Sequence, residues 1–246
     1  MEISHPANGP SRSGLDDGRT LGHALRLRRV GLRLALAIGL AVTQQPTLSS
    51  AAEGAGWVSL FDGKTLNGWH QVNGLAKYEV RDGAILGTSV PKSPNSFLCT
   101  TRDYADFELE FEVRVHPELN SGVQIRSHSK PDYQDGRVHG YQVEIAIGGY
   151  SGGIYDESRR NKFLNTEAQP TPTIRDLLKK DTWNKYRIRC QGDRIQTWVN
   201  GVAVTDLRDG MTASGFIGLQ VHGVGDRSDP LTVEWRNIRL REIPAK

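Results

Sequence analysis

Three stretches of the chain alternate apolar and polar residues with a period of two, and each therefore predicts a β-strand. They read SGVQIRSH (121–128), GYQVEIAI (140–147) and GFIGLQVHG (215–223). One face of each strand is apolar. The opposite face carries amides, a guanidinium, a carboxylate and imidazoles, on Gln124, Arg126, His128, Gln142, Glu144, Gln220 and His222. If the three strands share one sheet, these polar side chains meet on a single face.

A fourth strand pattern, DFELEFEVRV (106–115), provides an internal comparison. Its polar face holds Glu108, Glu110, Glu112 and Arg114, the composition of an ordinary solvated sheet surface. Amides, one carboxylate and a histidine are instead suited to hydrogen bonding with a hydroxyl-rich ligand and to proton transfer on it. Because half-exposed antiparallel sheets carry polar faces without any function, a plain solvated surface remains the alternative.

The rest of residues 57–243 consists of short strand patterns separated by turn residues. Hairpin turns are predicted at Asp82-Gly83, at Gly192-Asp193 and at Asn200-Gly201. One short helix is predicted at 174–180, with Thr173 as its N-cap. A long connection at 148–172 either overhangs the polar face or forms a loop on the solvent-exposed surface. This pattern predicts an all-β fold, a two-sheet sandwich of jelly-roll type with one short helix.

The first 52 residues have the order of a secretory signal peptide. Arginines at 26, 28, 29 and 33 precede a short apolar run (34–42), and Ser50-Ala51-Ala52 fits a cleavage site before Glu53. We therefore expect a disordered leader with a signal peptide at 1–52, one domain at 53–246, and a periplasmic or extracellular location. The apolar run is too short to span a bilayer, so no membrane span is expected after cleavage.

Charge and cysteine content narrow the range of partners. The chain has 31 Lys and Arg against 28 Asp and Glu, but residues 53–246 carry 25 of each. A neutral domain gives no indication of a nucleic-acid or anionic-membrane partner. The two cysteines, Cys99 and Cys190, can form one disulfide in an oxidising compartment or remain buried free thiols. They lack the histidine spacing of a zinc site.

The candidate chemistry follows from what surrounds Glu144. Glycosidases use two carboxylates across the scissile bond, but the same-face neighbours of Glu144 along its strand are Gln142 and Ala146. One carboxylate, one or two histidines and an arginine suit removal of a proton next to a carbonyl, with the arginine or amides stabilising the resulting enolate.

Eight motifs in order resemble the 3-keto-disaccharide hydrolase domain family. They are WVSLFDGKTLNGW, NSGVQIRS, HGYQVEI, GGIYDE, WNKYRI, WVNGV, GFIGLQVHG and WRNIRL, and they cover about 57–243. The resemblance implies a concanavalin A-like lectin/glucanase sandwich, secretion in bacteria and activity on glycosides oxidised at C3. Members of this family act as 3-keto-glucoside 1,2-lyases and 3-keto-2-hydroxy-glucal hydratases, whose combined result is hydrolysis.

The resemblance also implies residue roles. Glu144 and His222 would form the acid/base pair, and Arg126 would polarise the 3-keto oxygen. The substrate-binding residues would be three amides that hold hydroxyls and two residues that close the rim: Gln124, Gln142, Gln220, Tyr155 and His139. The partner would be an oxidised sugar or glycoside. The family's divalent metal cannot be assigned to residues here, and no organic cofactor is implied. A non-catalytic carbohydrate-binding module on the same fold is the alternative.

Overall fold

A computed structural model describes residues 56–165 and 175–244, which form two antiparallel β-sheets within one compact unit. The leader and its expected cleavage site lie outside the described residues. The strands are β1 Trp57–Ser59, β2 Trp69–Val72, β3 Lys77–Arg81, β4 Ala84–Thr88, β5 Ser96–Thr100, β6 Phe107–Val115, β7 Ser121–His128, β8 His139–Ile145, β9 Ile154–Glu157, β10 Asn184–Gln191, β11 Arg194–Val199, β12 Val202–Arg208, β13 Phe216–Val221 and β14 Thr232–Glu242.

The large sheet has eight strands in the order β12-β11-β10-β6-β14-β4-β3, with β1 paired to β14. The small sheet has six strands in the order β2-β5-β13-β7-β8-β9. The three strands with the unusual polar face, β7, β8 and β13, are therefore neighbours at the centre of the small sheet. This arrangement confirms the predicted all-β sandwich.

Strand alternation positions the site, because it divides each strand of the small sheet between two faces. Ile125, Val143 and Leu219 are buried against the large sheet, where they meet residues such as Phe111 and Tyr186. In each strand, the residues that alternate with these core residues project from the opposite face, which we call the site face.

The structure confirms the hairpin turns predicted at Asp82-Gly83 and Asn200-Gly201. Asp82 and Gly83 have φ of 51° and 75°, and Asn200 and Gly201 have φ of 49° and 85°. These left-handed pairs make the tight turns of the β3–β4 and β11–β12 hairpins.

The predicted helix does not extend through the described residues. Residue 174 lies outside them, residue 175 is helical, and 176–180 are turns, bends and irregular chain. Among the described residues, no helix is long and apolar enough to cross a membrane.

The predicted loop at 148–172 contains a strand. Residues Ile154–Glu157 form β9, which pairs with β8 and makes one edge of the small sheet. Four residues of alternating Ile, Tyr, Asp and Glu were too short a pattern to separate from a loop, and pairing with β8 completes the strand. The segment 166–174 lies outside the described residues.

Cys99 lies in β5 of the small sheet and Cys190 in β10 of the large sheet. Both are free and buried, which answers the question left open by the sequence. Burial raises the pKa of each thiol well above its usual range.

Candidate active site

A polar cavity of about 390 Å³ opens on the site face over β8, β9 and the end of β13. Its volume falls in the range of small-molecule sites. Its lining is almost entirely polar and consists of Asn95, Asn120, Arg137, Gln142, Glu144, Tyr155, Glu157, Asn161, Phe163 and His222. Of the predicted site residues, the structure brings Gln142, Glu144, Tyr155 and His222 together around this cavity.

Glu144 is the most perturbed acid of the cavity. It is the penultimate residue of β8, all of whose residues are buried, and only 6% of its surface is exposed. Burial raises the pKa of Glu144 to about 7, and the negative charge of Glu157 adds to the increase. Hydrogen bonds from Gln142 and Asn120 partly offset both effects. A carboxyl group with a pKa near neutrality can both take and return a proton at physiological pH.

A chain of side-chain hydrogen bonds fixes the Glu144 carboxylate. The Ser127 hydroxyl donates to Gln124 Oε1 (2.7 Å), and Gln124 Nε2 donates to Gln142 Oε1 (2.7 Å). Gln142 Nε2 then donates to Glu144 Oε1 (2.6 Å), while Asn120 Nδ2 donates to Glu144 Oε2 (3.3 Å). Each amide is used as both acceptor and donor, so the chain has a single direction that ends on the carboxylate.

Gly122 makes room for this chain. A Cβ at this position would lie 2.6 Å from Cγ of Gln142, a distance that real Cβ atoms essentially never show. Gly122 is the residue directly opposite Glu144 on β7, and the Gln142 side chain lies over it. The missing side chain is therefore what allows Gln142 to reach the Glu144 carboxylate.

His222 is exposed at the mouth of the cavity, one residue beyond β13. Its Nδ1 lies 2.7 Å from the carbonyl oxygen of Gly223. A carbonyl oxygen can only accept, so Nδ1 carries the proton in this contact, and Nε2 is not used in it. Gly223 is held in turn by its own N–H, which donates to Asn95 Oδ1 (3.0 Å).

A second carboxylate enters the cavity from β9. Glu157 is buried, and its Oε1 accepts from Ser158 Oγ (3.1 Å) and Asn95 Nδ2 (3.4 Å). A search along the strand of Glu144 could not find it, because Glu157 belongs to the neighbouring strand and pairs with Gly140. The available signal was the alternation in IYDE, which places Tyr155 and Glu157 on one face.

A segment that we call the strap (129–138) crosses the site face before β8 begins. Val138 packs there against Phe97, Cys99 and Phe216. Asn73 follows β2, at the edge of the small sheet opposite β9, and it anchors the strap through hydrogen bonds to Gly136 and Val138. The strap thus covers the apolar part of the site face and leaves the polar part open, with Arg137 at the boundary.

Arg126 does not belong to the site, contrary to the sequence-based expectation. It has a φ of 47° at a β-bulge in β7, where the register with β8 shifts between Ile125 and His128. The bulge breaks the alternation and turns the side chain away from the site face. Its guanidinium is buried and bonds to Ala105 O (2.7 Å), Gly192 O (2.7 Å) and Asp106 Oδ1 (2.8 Å). Arg126 therefore ties the small sheet to the large one.

Three further expected contact residues do not line the cavity. His139 is buried under Tyr133, with ring centroids 3.9 Å apart, and its Nδ1 contacts the carbonyl of Arg137. Gln124 is fully buried as part of the hydrogen-bond chain to Glu144. Gln220 is also fully buried, beside Gly122, and its amide has no partner among the described residues. These two amides lie beneath the cavity and can contact a ligand only through other side chains.

A larger cavity, of about 530 Å³, lies on the outer face of the large sheet between Trp57 and Lys185. Its charged groups neutralise one another, since Glu110 pairs with both Arg239 and Lys185. Burial alone would raise the pKa of Glu110, but hydrogen bonds and charge attraction from Arg239 and Lys185 lower it below its usual range. Glu110 is therefore a paired, charged carboxylate and not a proton-transfer group, and we assign the candidate active site to the cavity around Glu144.

The donor set around Glu144 does not fit a resident divalent metal. Within residues 56–165 and 175–244, no three His, Cys, Asp or Glu side chains come close enough together to ligate one ion. Glu144, Glu157 and His222 share the cavity wall, but they do not form such a cluster.

The sequence matches the 3-keto-alpha-glucoside-1,2-lyase-like domain over residues 56–241, which includes every strand of both sheets except the last residue of β14. The chain belongs to this family. Membership supports a carbohydrate-active function, and it agrees with the resemblance carried by the eight motifs. No curated protein matches the sequence.

Solved structures support the fold. A putative glycosyl hydrolase from Parabacteroides distasonis aligns with a TM-score of 0.56 at 16% identity, covering 78% of this chain and 96% of that one. The carbohydrate-binding module CBM66 from Bacillus subtilis gives 0.53 at 18%, covering 71% and 96%. A β-glucanase from Bacillus licheniformis gives 0.50 at 10%, covering 76% and 97%. At these identities the similarity establishes the glucanase-like jelly roll and no more.

Proposed function

We propose that this family member cleaves glycosides oxidised at C3 of the sugar, by elimination followed by hydration. The observation that carries the proposal is Glu144, a buried carboxyl whose pKa is raised to about 7 on the wall of a sugar-sized polar cavity that also holds His222. A ketone at C3 acidifies the proton on C2, so one well-placed base is enough to start the reaction.

Glu144 removes the C2 proton, and the electron pair forms an enolate with the C3 oxygen. The enolate collapses, the bond from C1 to the glycosidic oxygen breaks, and the departing alcohol takes a proton from Nε2 of the His222 imidazolium. Water then adds across the new C1–C2 double bond. Its hydroxyl bonds to C1 while His222 takes a proton from it, and Glu144 returns a proton to C2, so both groups regain their starting states. The net result is hydrolysis without opposed carboxylates.

The hydrogen-bond chain supports this role for Glu144. A base that abstracts a proton from carbon must be held in one orientation, and donors on both carboxylate oxygens provide this. Burial excludes water, which keeps the carboxylate basic. Tyr155 and Asn120 lie on the same wall and can contact sugar hydroxyls.

The test is steady-state turnover of a chromogenic 3-keto-glucoside. Glu144→Gln keeps the shape of the side chain but removes the titrating group, so kcat should fall about 10²- to 10⁴-fold while KM changes little. Glu79→Gln removes an exposed carboxylate from β3 and is the matched control. In heavy water the product should carry deuterium at C2. Wild-type turnover without any dependence on Glu144 would contradict the proposal.

A second candidate is hydrolysis of unoxidised glycosides by Glu144 and Glu157 acting together. It is favoured by one observation, that both carboxylates line the same cavity. The same assay decides, because this mechanism needs no ketone. Equal turnover of the glucoside and its 3-keto form, abolished by either Glu144→Gln or Glu157→Gln, would support it over elimination.

The non-catalytic alternative, a carbohydrate-binding module, uses the same amide-rich wall without proton transfer. Calorimetric binding of a plain sugar that persists in Glu144→Gln and His222→Ala, with no turnover of any glycoside by the wild type, would favour it. Measurable wild-type turnover would exclude it.

We also propose that the protein is exported, as the order of residues 26–52 suggests. N-terminal sequencing of the protein recovered from outside the cytoplasm should give a chain that starts at or near Glu53. A recovered chain that starts before residue 34 would contradict the proposed cleavage.

A further inference from the structure

The displacement of Arg126 leaves the proposed reaction without a cation to stabilise the enolate, and the strap supplies a different one. Arg137 lies on the strap between Gly136, with φ of 80°, and Val138, and its side chain is exposed on the cavity wall. Asn73 holds the backbone on both sides of it. Asn73 Nδ2 donates to Gly136 O (3.2 Å), and Val138 N donates to Asn73 Oδ1 (2.7 Å).

The guanidinium of Arg137 is available for a ligand. No carboxylate of the described residues lies within 4.0 Å of it, although Glu157 lines the same cavity. Arginines elsewhere in the described chain are nearly all ion-paired, for example Arg160 with Asp156 and Asp209. An anchored backbone with an unpaired guanidinium is the arrangement expected where the charge is reserved for a substrate.

Arg137 also lies between two cavities. A second cavity of about 240 Å³ continues from the first, with Phe97 in its lining and Asn73, Gln134 and Asp135 around it. The two cavities share Asn95, Arg137 and Glu157. A substrate of two units, with the oxidised sugar beside Glu144 and the departing unit in the second cavity, would therefore place its reacting centre next to Arg137.

We propose that Arg137 contacts the C3 carbonyl oxygen of the substrate and stabilises the negative charge that develops there when the C2 proton is removed. This inference rests on the proposed function. The positive charge is permanent and the fork is planar, so the guanidinium can donate two hydrogen bonds to the enolate oxygen without itself losing a proton.

The experiment compares Arg137→Gln, Arg137→Ala and Arg137→Lys with wild type on the 3-keto-glucoside. Because the interaction strengthens as charge develops, kcat should fall about 10²- to 10³-fold in the Gln and Ala variants with little change in KM. Arg137→Lys keeps the charge without the planar fork, and its loss should be smaller. Free guanidinium ion should restore part of the kcat of Arg137→Ala and none of that of Glu144→Gln.

Arg208→Gln is the matched control, since it removes an exposed arginine from the large sheet. Thermal melting of every variant separates loss of fold from loss of rate, and Arg137→Lys tests the contact if the Ala variant is unstable. A fall in kcat of less than tenfold in Arg137→Gln, an effect on KM alone, or no rescue by guanidinium would overturn the role of Arg137. A wild type that turns over no 3-keto-glycoside would overturn the proposed function and this inference together.

Discussion

The raised pKa of Glu144 makes a prediction about stability that is independent of any substrate. An ordinary glutamate has a pKa of 4.5, and in the folded protein burial raises the pKa of Glu144 to about 7. The folded state therefore holds this proton more tightly than the unfolded state does. The resulting stabilisation is complete below pH 4.5 and is lost as the pH rises to about 7, because the carboxylate must then be charged inside the protein.

The magnitude follows from the two pKa values. Their separation corresponds to about 3 kcal/mol of unfolding free energy, a large part of the stability of a typical domain. Glu144→Gln removes the ionisation but keeps a polar side chain that can accept from Gln142. The stability of the variant relative to wild type should therefore increase by about 3 kcal/mol between pH 4 and pH 8.

Urea denaturation of both proteins at several pH values between 4 and 8 measures this difference. A constant offset from altered hydrogen bonds around residue 144 cancels, because only the change with pH is used. Glu79→Gln controls for the loss of one negative charge. If the difference between Glu144→Gln and wild type changes by less than about 1 kcal/mol over this range, the reasoning about Glu144 is wrong.

Three other predictions concern single features of the fold. Arg126→Met should destabilise the domain by about 3–5 kcal/mol in urea denaturation, because it leaves Asp106 without its buried partner. A loss below about 1 kcal/mol would show that Arg126 does not hold the two sheets together. Gly122→Ala should lower kcat at least tenfold with a smaller effect on KM, since the methyl group displaces Gln142; unchanged kinetics would count against the hydrogen-bond chain. A thiol reagent should label two cysteines in denaturant and neither in the native protein, and reducing agent should leave the melting temperature unchanged.

Most of the fold could be predicted from the sequence, because each signal that indicated it was local. Alternation assigned Ile125, Val143 and Leu219 to the core, and the pairs Asp82-Gly83 and Asn200-Gly201 marked their hairpins. The same alternation placed Glu144 and Gln142 on the site face.

The site was predicted only in part, since three of its features depend on pairing between distant residues. The bulge that turns Arg126 away depends on register with two neighbouring strands, which alternation within β7 cannot reveal. Glu157 enters through β9, whose place in the sheet depends on β8. Arg137 is positioned by Asn73, more than sixty residues earlier in the chain.

The charged strand used as an internal comparison has more structure than plain solvation. Glu108 is buried and pairs with Arg187, Arg189 and Arg241 from the two flanking strands. Glu110 also pairs with both flanking strands, through Lys185 and Arg239, and Glu112 pairs with Arg236 of β14. Alternation indicated correctly that this face is charged. It could not show that the charges are matched across strands, because that match depends on register.

The position of β14 has a consequence for how the chain acquires its structure during synthesis. Among the described residues this strand is the last in sequence, yet it lies inside the large sheet, between β6 on one side and β4 and β1 on the other. Until β14 has been synthesised, β6 lacks its partner on one side, and β4 and β1 lack the strand that joins them to β6. Because the pairing of β14 with β6 joins residues more than a hundred positions apart, folding should be slow, and the large sheet should be completed only after residue 242 is available.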